Sequence, residues 1–525
     1  MTGRNRMGRR AAMLGGAAGS WVLLARHGRA GAEKPEYGGR LRVGYALAPG
    51  ALAPATGRAG GDHYYWKPLA DQLIDVDPVM TPRPERSLAE SWDLSNPMAP
   101  LFRLRKGVRF HDGTPFGAAA VKFNLERTLD PATKATARAG FTSIDQVDAV
   151  DEHLVRLKLK RPWGSMFVQM ADRGGAMSSP AAVRAHGADY AWKPSLTGPF
   201  KLAEVVSGSY VRMVRNEHYW GRDAAGNPLP YLDEVVVNMV PEATVQFAGL
   251  RAGELDLIWL PLKDVEAAAA NPAINVRSYE GSGIALLVAY NMAKPPMDNM
   301  HLRLAIAHAV NSDVINRAVY NNRAIAAKGG MWPPNSPAFD TTVPRPTYNP
   351  AKAREHLRLG GRPNGFEIDC AWWASEYNSP AAEIFRAQLA AVGIKINAKT
   401  FDVTTVTEKF FYGNEFHIYL TPWTRRPDPD IVANQMYVSD GYYNAGKVKD
   451  QALDAMIEKA GSLTDMAQRL PLYRKIDEIV LGEARVTPLI YNVTYAGAAK
   501  RVMNLEEVFD YSAQMSLHRL WLRKR

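Results

Sequence analysis

The chain has very little of what metal and redox sites are built from. Cys370 is the single cysteine among 525 residues, so an intrachain disulfide and a multi-cysteine metal site are both excluded. Cys370 stands in an apolar run, which predicts a buried, unreactive thiol. The eleven histidines are dispersed without the spacing of metal ligands. We therefore expect no metal and no cofactor.

Motifs for catalysis are also missing. The sequence has no Gly-x-x-x-x-Gly-Lys-Ser/Thr phosphate loop, no His-Glu-x-x-His zinc motif and no Gly-x-Ser-x-Gly nucleophile motif.

The excess of positive charge is small outside the N-terminus. The net charge is +11, and residues 1–32 contribute six arginines and no acidic residue to it. The remaining excess is too mild and too scattered to indicate a nucleic-acid partner.

Long hydrophobic runs are absent as well, since none reaches the roughly 20 residues that a membrane-spanning helix needs. The apolar residues 11–25 follow four arginines within residues 4–10 and precede Ala30-Gly31-Ala32. This layout is typical of an export signal, and Arg9-Arg10 also fits a twin-arginine signal, so both export routes stay open. No cysteine lies near the cleavage point, which argues against a lipoprotein anchor. We predict that residues 1–32 are a signal peptide and that the protein works in a periplasm.

What the chain does have is an ordinary globular composition and clear local patterns. At 525 residues, with 46% hydrophobic and 22% charged residues, it is long enough for two or three domains. Leu101–Arg105 alternates with the period of a half-buried strand, and Gly113 follows in a turn. Pro115 then precedes a helical pattern from Ala118. Residues 88–127 therefore predict a strand, a turn and a helix.

The same stretch closely resembles the extracytoplasmic solute-binding proteins of the dipeptide, oligopeptide and nickel class, family 5. These are the ligand-capturing components of ABC importers. More than a dozen residues match in order, across Leu88-Ala89-Glu90-Ser91-Trp92 and 102–113. One departure is Gly117-Ala118-Ala119-Ala120, where the family usually carries an acidic pair. Later blocks match too, so the resemblance covers nearly the whole mature chain.

The resemblance implies the fold class: α/β, with two lobes of the type II periplasmic-binding-protein kind and an extra domain on the first lobe, as in cluster C. It places lobe I at 36–70, 195–284 and 488–525, the extra domain at 71–194, and lobe II at 285–487. The residues support α/β character independently, because strand, helix and strand patterns follow one another at 366–373, 380–392 and 394–396.

The most informative candidate site is the segment from Trp423 to Asp430. Pro427 and Pro429 argue against a regular helix and predict a rigid loop. The resemblance implies that Trp423 lines the ligand pocket. In the family's peptide binders, a carboxylate shortly after this tryptophan holds the free ammonium of the peptide, whereas this sequence has Arg425 and Arg426 there.

This departure changes the expected ligand. A guanidinium repels an ammonium and can hold a carboxylate with two parallel hydrogen bonds. We therefore predict an anionic ligand, or a peptide bound through its carboxylates, with Arg425, Arg426 and Asp428 as candidate contacts. The alternative is that either arginine pairs with Asp428 or Asp430 as part of the loop structure.

Further candidates come from three other segments. Residues 62–66 precede a predicted helix that extends to Ile74 and pass the cleft in the resembling family. Residues 372–377 end a strand that would open into the cleft, and residues 439–444 resemble the segment after the cleft loop. For each segment, core packing or capping is the alternative to ligand contact. The candidate residues are Tyr64, Trp66, Trp372, Trp373, Tyr377, Asp440 and Asn444.

Together these features predict the periplasmic substrate-binding component of an ABC transporter. It would capture a peptide-like or other small polar solute and deliver it to permease subunits in the inner membrane. We expect a monomer that is not an enzyme and does not bind nucleic acid. Two alternatives stay open, which are a secreted hydrolase that uses Asp428 and Asp430, and a nickel or haem carrier.

Overall fold

The fold is organised around two long strands that cross the middle of the molecule. The computed structural model describes residues 34–524 apart from residues 58, 59, 79, 374, 376, 402, 412, 427, 442 and 447, and the predicted signal peptide lies outside the described residues. The strands are β1 (Arg40–Tyr45), β2 (Ala89–Asp93), β3 (Leu101–Leu104), β4 (Ile144–Asp151), β5 (Leu154–Leu159), β6 (Phe200–Val206), β7 (Tyr210–Arg215), β8 (Glu234–Met239), β9 (Leu257–Trp259), β10 (Ile274–Tyr290), β11 (Ile325–Ala326), β12 (Phe366–Trp373), β13 (Ile394–Phe401), β14 (Ile418–Thr424), β15 (Val486–Ala499), β16 (Val502–Met503) and β17 (Trp521–Leu522).

Helices cover both halves of the molecule. They are α1 (His63–Trp66), α2 (Ala118–Leu129), α3 (Arg138–Phe141), α4 (Met166–Met170), α5 (Pro180–His186), α6 (Ala243–Ala252), α7 (Val265–Ala269), α8 (Met300–Ala309), α9 (Ser312–Tyr320), α10 (Pro350–Leu359), α11 (Asn378–Ala390), α12 (Val403–Phe411), α13 (Pro429–Met436), α14 (Gln451–Ser462) and α15 (Met466–Gly482). Among the described helices, none combines the length and the apolar character needed to span a bilayer. The predicted α/β fold class is confirmed.

One large sheet joins the two halves. Its strands follow the order β13-β12-β14-β10-β15-β9-β1-β8-β7-β6, and β11 pairs with β15 beside this path. On one side β1 runs parallel to β8 and β9, and on the other β12 runs parallel to β13 and β14. The strand–helix–strand unit predicted at 366–396 is therefore confirmed as β12, α11 and β13. β10 and β15 lie between the two sides as an antiparallel pair.

The register shows that both sets of parallel strands end at the middle of β10. Trp259, the last residue of β9, pairs with Ala496, which in turn lies opposite Arg277 of β10. Thr424, the last residue of β14, lies opposite Gly283. The carboxyl ends of the strands on both sides therefore converge on residues 278–283, and in open α/β sheets this is where ligands bind.

The pairing of β10 is irregular at this point. The register against β15 shifts between Glu280 and Ile284, and Gly281 and Gly283 have φ angles of +69° and +141°. A Cβ atom on Gly281 would lie 1.8 Å from the carbonyl oxygen of Pro334, so only glycine fits there. The irregular residues are thus fixed by the backbone that packs against them.

Separate hydrophobic cores lie on either side of the crossing strands. One contains Leu41, Phe200 and other buried residues of predicted lobe I, and two contain residues of predicted lobe II. Another is formed mainly by residues 73–177, which carry the four-stranded sheet β2-β3-β5-β4. β10 and β15 run through the predicted lobe boundaries at 284 and 487, and all the domain boundaries stay predictions.

The strand, turn and helix predicted for residues 88–127 are confirmed as β3, the turn at Gly113 and α2. The departure from the family pattern at Gly117 has a local cause. The amide of Ala118 donates to the carbonyl of Glu152, and a Cβ atom on Gly117 would lie 2.8 Å from the same oxygen. Glycine is therefore required for this close approach of the two backbones.

Two local expectations have opposite outcomes. The predicted helix up to Ile74 is wrong, because α1 ends at Trp66 and the amide of Leu73 donates to the carbonyl of Gly175 instead of to a helical partner. Cys370 is fully buried in β12, as predicted, and burial raises the pKa of its thiol.

Candidate ligand-binding cleft

A cavity of about 530 Å³ opens where the strands of the two sides end. Trp259 contributes to its wall from the end of β9, and Trp373 and Trp423 contribute from β12 and β14. Residues 282–285 and 492–495 of the crossing strands also line it. Tyr320 and Tyr377 complete the wall, with ring centroids 5.7 Å apart and nearly parallel planes. The cavity is therefore lined by aromatic rings contributed from both sides of the sheet.

Three tryptophans of the cavity wall have unpaired indole groups. The indole Nε1 atoms of Trp259, Trp373 and Trp423 are buried and have no hydrogen-bond partner among the described residues. Buried polar groups in proteins are nearly always paired, with protein atoms, water or a ligand. An indole N–H can only donate. Because these Nε1 atoms have almost no accessible surface, the wall presents mainly aromatic surface to a solute in this conformation.

Arg425 is 5% exposed and lies at the edge of the crossing strands. Its Nη1 donates to the hydroxyl of Tyr279 at 2.7 Å and to the carbonyl of Gly281, and its Nη2 donates to the carbonyl of Asn335 at 3.2 Å. All of these acceptors are neutral, and burial lowers the pKa of the guanidinium. Arg425 therefore fastens the loop at Asn335 to the irregular part of β10.

Arg426 is in a different environment. Its guanidinium lies over the ring of Trp423, 5.6 Å from the centroid, and its Nε donates to Oε1 of Gln435 at 3.2 Å. Burial lowers the pKa of this guanidinium as well. In the part of the chain that the structure describes, neither arginine forms an ion pair with a carboxylate, so the expected pairing with Asp428 or Asp430 is wrong. Arg426 is a half-buried cation beside the cavity wall.

Asp428 has a structural role away from the cavity. It forms an ion pair with Arg469, with N–O distances of 2.9 and 2.5 Å, and both side chains are 1% exposed. Its Oδ1 also accepts from the amide of Asp430 and caps the start of α13. Pro429 is the first residue of this helix, where no amide hydrogen is needed, so the loop prediction is wrong from this residue onward. The predicted ligand contact by Asp428 is replaced by this structural role.

The same ion pair bears on the hydrolase alternative. Burial and then the neighbouring Asp428 raise the pKa of Asp430 to about 6, which would suit an acid catalyst. However, a carboxylate pair needs both groups exposed to the substrate, and Asp428 is enclosed by Arg469. This geometry does not favour the hydrolase.

Tyr64 and Trp66 separate into two environments. The Tyr64 ring lies 4.0 Å from Tyr45, at the end of β1, and 5.4 Å from Trp259 in the cavity wall. Trp66 is fully buried in the core around Leu41, which is the packing alternative. The structure therefore places Tyr64 next to the candidate cleft and Trp66 behind it.

The three candidates from residues 372–377 also lie in different environments. Trp372 and Trp373 are successive residues of β12 and point to opposite faces of the sheet. Trp372 is 5% exposed and packs in the core with Ile418, whereas Trp373 and Tyr377 line the cavity. The strand end thus opens into the cleft through Trp373 and Tyr377, and Trp372 serves the core.

The structure does not bring Asp440 or Asn444 to this cavity. Asn444 is 3% exposed, and its Nδ2 donates to the carbonyls of Val438 and Val448, both at 2.9 Å. Its Oδ1 accepts from the amide of Val448. Asn444 therefore closes a loop, as the capping alternative predicts, and Asp440 is exposed at the surface.

Sequence reasoning missed a charged group near Arg426. His63 Nε2 lies 2.7 Å from Oδ1 of Asp172, and Nη2 of Arg173 lies 3.1 Å from Nδ1 of the same histidine. Burial acts to raise the pKa of Asp172, but His63, Lys67 and Arg173 hold it well below its ordinary value. Asp172 in turn acts electrostatically on Arg426. These two side chains are separated by more than 250 positions, and no sequence pattern links them.

Trp259 was also missed, although its place at the end of a parallel strand was a usable signal.

No group of three or more His, Cys, Asp or Glu side chains among the described residues is arranged to hold a metal ion.

Comparison with known proteins agrees with this architecture. The model of the bacterial extracellular solute-binding proteins, family 5 Middle, matches residues 83–444. The chain is 30% identical over 467 residues to heme-binding protein A of Haemophilus influenzae, covering 82% of this chain and 83% of that protein. It is 27% identical over 429 residues to the glutathione-binding protein GsiB of Escherichia coli (strain K12), covering 79% and 82%.

Solved structures extend the agreement to the fold. The periplasmic binding protein DppA of Helicobacter pylori, in complex with a peptide, superposes with a TM-score of 0.77 at 25% identity, covering 93% of this chain and 99% of that one. HbpA2 of Haemophilus parasuis superposes with a TM-score of 0.80 at 24% identity, covering 93% and 100%. The chain belongs to the bacterial extracellular solute-binding proteins of family 5, the components of ABC importers that capture a small solute and deliver it to the permease.

Proposed function

We propose that this protein captures an anionic, peptide-like solute and that Arg426 holds one of its carboxylates. The observation that carries the proposal is the state of Arg426, which lies half-buried against Trp423 with Gln435 as a neutral hydrogen-bond partner. Removing a charge from water is costly unless a counter-charge is supplied. A carboxylate of the solute would add a directly bonded counter-charge to the more distant Asp172 and could accept two parallel hydrogen bonds.

The rest of the cleft fits the same class of solute. The aromatic rings of the cavity wall would cover apolar parts of the solute. Near Arg426, the Asp172 carboxylate is held in its charged form and would attract a cationic group such as a free ammonium. Glutathione, which relatives are named for binding, carries carboxylates, an ammonium and amide oxygens, and so belongs to this class.

The cellular role follows from the family. We infer that residues 1–32 direct export, that the mature protein works in the periplasm without a lipid anchor, and that it acts as a monomer without a nucleic-acid partner. Capture requires closure of the two lobes about β10 and β15, with the solute stabilising the closed form. No bond of the solute is made or broken, so the protein is not an enzyme.

The test is a binding experiment on residues 33–525. Thermal shift followed by calorimetric titration would compare glutathione, a free dipeptide, an N-acetylated dipeptide, Ni²⁺ and haem. A solute at about 100 times its dissociation constant adds roughly 2.7 kcal/mol of stability, which such a shift detects easily. We expect glutathione and both dipeptides to bind through their carboxylates, and the free dipeptide to bind more tightly because Asp172 attracts its ammonium.

Arg426→Gln should weaken their binding about 10- to 100-fold, because hydrogen bonds to charged groups contribute roughly 1.5–3 kcal/mol. The matched control is Arg212→Gln, which changes a half-exposed arginine of β7 that pairs with Glu204 of β6. Equal affinity of Arg426→Gln and the parent protein for these compounds, or binding of haem or Ni²⁺ alone, would contradict the proposal.

A further inference from the structure

A glycine of the predicted extra domain touches predicted lobe II directly. The amide of Gly164 donates to the carbonyl of Gly461, near the end of α14, at 2.9 Å. The carbonyl of Gly164 in turn accepts from Nη1 of Arg469 at 3.4 Å. The contact is centred on main-chain atoms of both sides, and it joins segments almost 300 residues apart.

This contact has no room for a side chain. A Cβ atom on Gly164 would lie 2.2 Å from the carbonyl oxygen of Leu463 and 2.7 Å from that of Gly461. Both neighbours are backbone atoms, which cannot move aside as a flexible side chain would. The conformation of Gly164 is not left-handed, so close approach, and not the φ angle, is what requires glycine here. Helix α4 begins just after the contact, at Met166.

The surroundings of the contact are loosely packed. A cavity of about 640 Å³ lies beside it, with Arg161 and Gln169 on the extra-domain side and Asp430 and Glu458 on the lobe II side. Interfaces between domains that are small, polar and imperfectly filled allow relative motion. The two sides can therefore separate without exposing a large apolar surface.

Arg469 connects this contact to the segment with the proposed anion anchor. It is 1% exposed, donates to the carbonyl of Ala460 at 3.1 Å and holds Asp428 with two hydrogen bonds. Asp428 stands two positions after Arg426 and caps α13, and α13 carries Gln435, the hydrogen-bond partner of Arg426. One side chain thus reaches from the docked glycine to the helix that orients Arg426.

We infer that Gly164 and Arg469 form a closure latch. When the cleft closes, the backbone of Gly164 docks on residues 461–463, and Arg469 positions the helix cap that follows Arg426. The latch is a positioning device and does not itself touch the solute. Its link to Arg426 rests on the proposed function, but the docking of Gly164 can be tested without any solute.

The experiment places cysteines beside the contact, in the double variant Ser165→Cys and Ser462→Cys. Both serines line the cavity between the two sides, and the native Cys370 is buried. Cross-linking is followed by gel mobility, with a mild oxidant or a short bis-maleimide, in the full mature protein. Even a briefly closed form is trapped, so the rate reports how often the contact forms.

We expect the double variant to cross-link and the added Gly164→Ala substitution to slow the rate at least tenfold. The control is Gly482→Ala in the same background, because a Cβ atom there meets open space. Thermal melting checks that each variant is folded. Equal cross-linking rates with and without Gly164→Ala would overturn the latch. The absence of cross-linking in the double variant itself would overturn it too, and that result does not depend on whether Gly164→Ala folds.

Glutathione serves as a probe in a second arm, where it should raise the rate in the parent background. Loss of anion binding in Arg426→Gln with an unchanged cross-linking rate would leave the latch in place. An unchanged affinity of Arg426→Gln would count against the proposed function alone. The two proposals therefore fail separately.

Discussion

Replacing Arg469 with methionine should be among the most destabilising single changes in this protein. Methionine keeps most of the apolar stem of the side chain but leaves the Asp428 carboxylate buried without its partner, since both side chains are 1% exposed. Removing one member of a buried ion pair costs about 3–5 kcal/mol. The loss of the hydrogen bonds to Ala460 and Gly164 acts in the same direction.

The assay is guanidinium-induced unfolding of the mature protein, followed by fluorescence and far-ultraviolet circular dichroism. Arg469→Met is compared with Asp428→Asn and with the double variant. Because the cost comes from the uncompensated charge, the double variant should be less destabilised than the sum of the two single variants. Additive losses, or a loss below about 1 kcal/mol for Arg469→Met, would show that the pair is not the buried, mutually dependent unit described here.

Two further predictions concern pH and ligand contact. Burial raises the pKa of Asp71 to about 7. The stabilisation that this carboxyl contributes is therefore present below the unfolded-state pKa and is lost as the pH rises from about 4 to 7. Asp71→Asn should flatten this part of a plot of melting temperature against pH, and an unchanged slope would refute the assignment. Trp373→Phe reduces the aromatic surface of the cavity wall, so glutathione affinity should fall several-fold with little change in melting temperature. Trp66→Phe, in the core, is the matched comparison and should change the melting temperature instead.

Local sequence patterns predicted the fold well where neighbouring residues determine the structure. The strand, turn and helix at 88–127 and the strand–helix–strand unit at 366–396 depend on period and turn chemistry within a few residues. The end of a strand also predicted that Trp373 and Tyr377 would reach the cleft. Which face each residue takes follows from the two-residue period, so Trp372 could have been assigned to the core from the sequence.

The charged residues of the cleft were harder to predict because their partners are distant in sequence. Asp428 forms an ion pair with Arg469, 41 positions away, and Arg425 donates to the hydroxyl of Tyr279, 146 positions away. The sequence showed two adjacent arginines with no basis for distinguishing them. Only the folded arrangement separates Arg425, which is bound to carbonyl and hydroxyl oxygens, from Arg426, which lies beside the cavity wall.

The irregular segment of β10 has a consequence for how binding specificity can change during evolution. Gly281, Gly283 and the shifted register confine the irregular geometry of the crossing strands to a few residues, and the backbone at Pro334 packs against them. In the proposed closure, each wall of the cleft would move as a rigid body about this segment. Substitutions such as those at Trp259 or Arg426 then alter which solute is retained and leave the movement itself intact. One mechanical joint can in this way serve relatives that carry chemically different cargo.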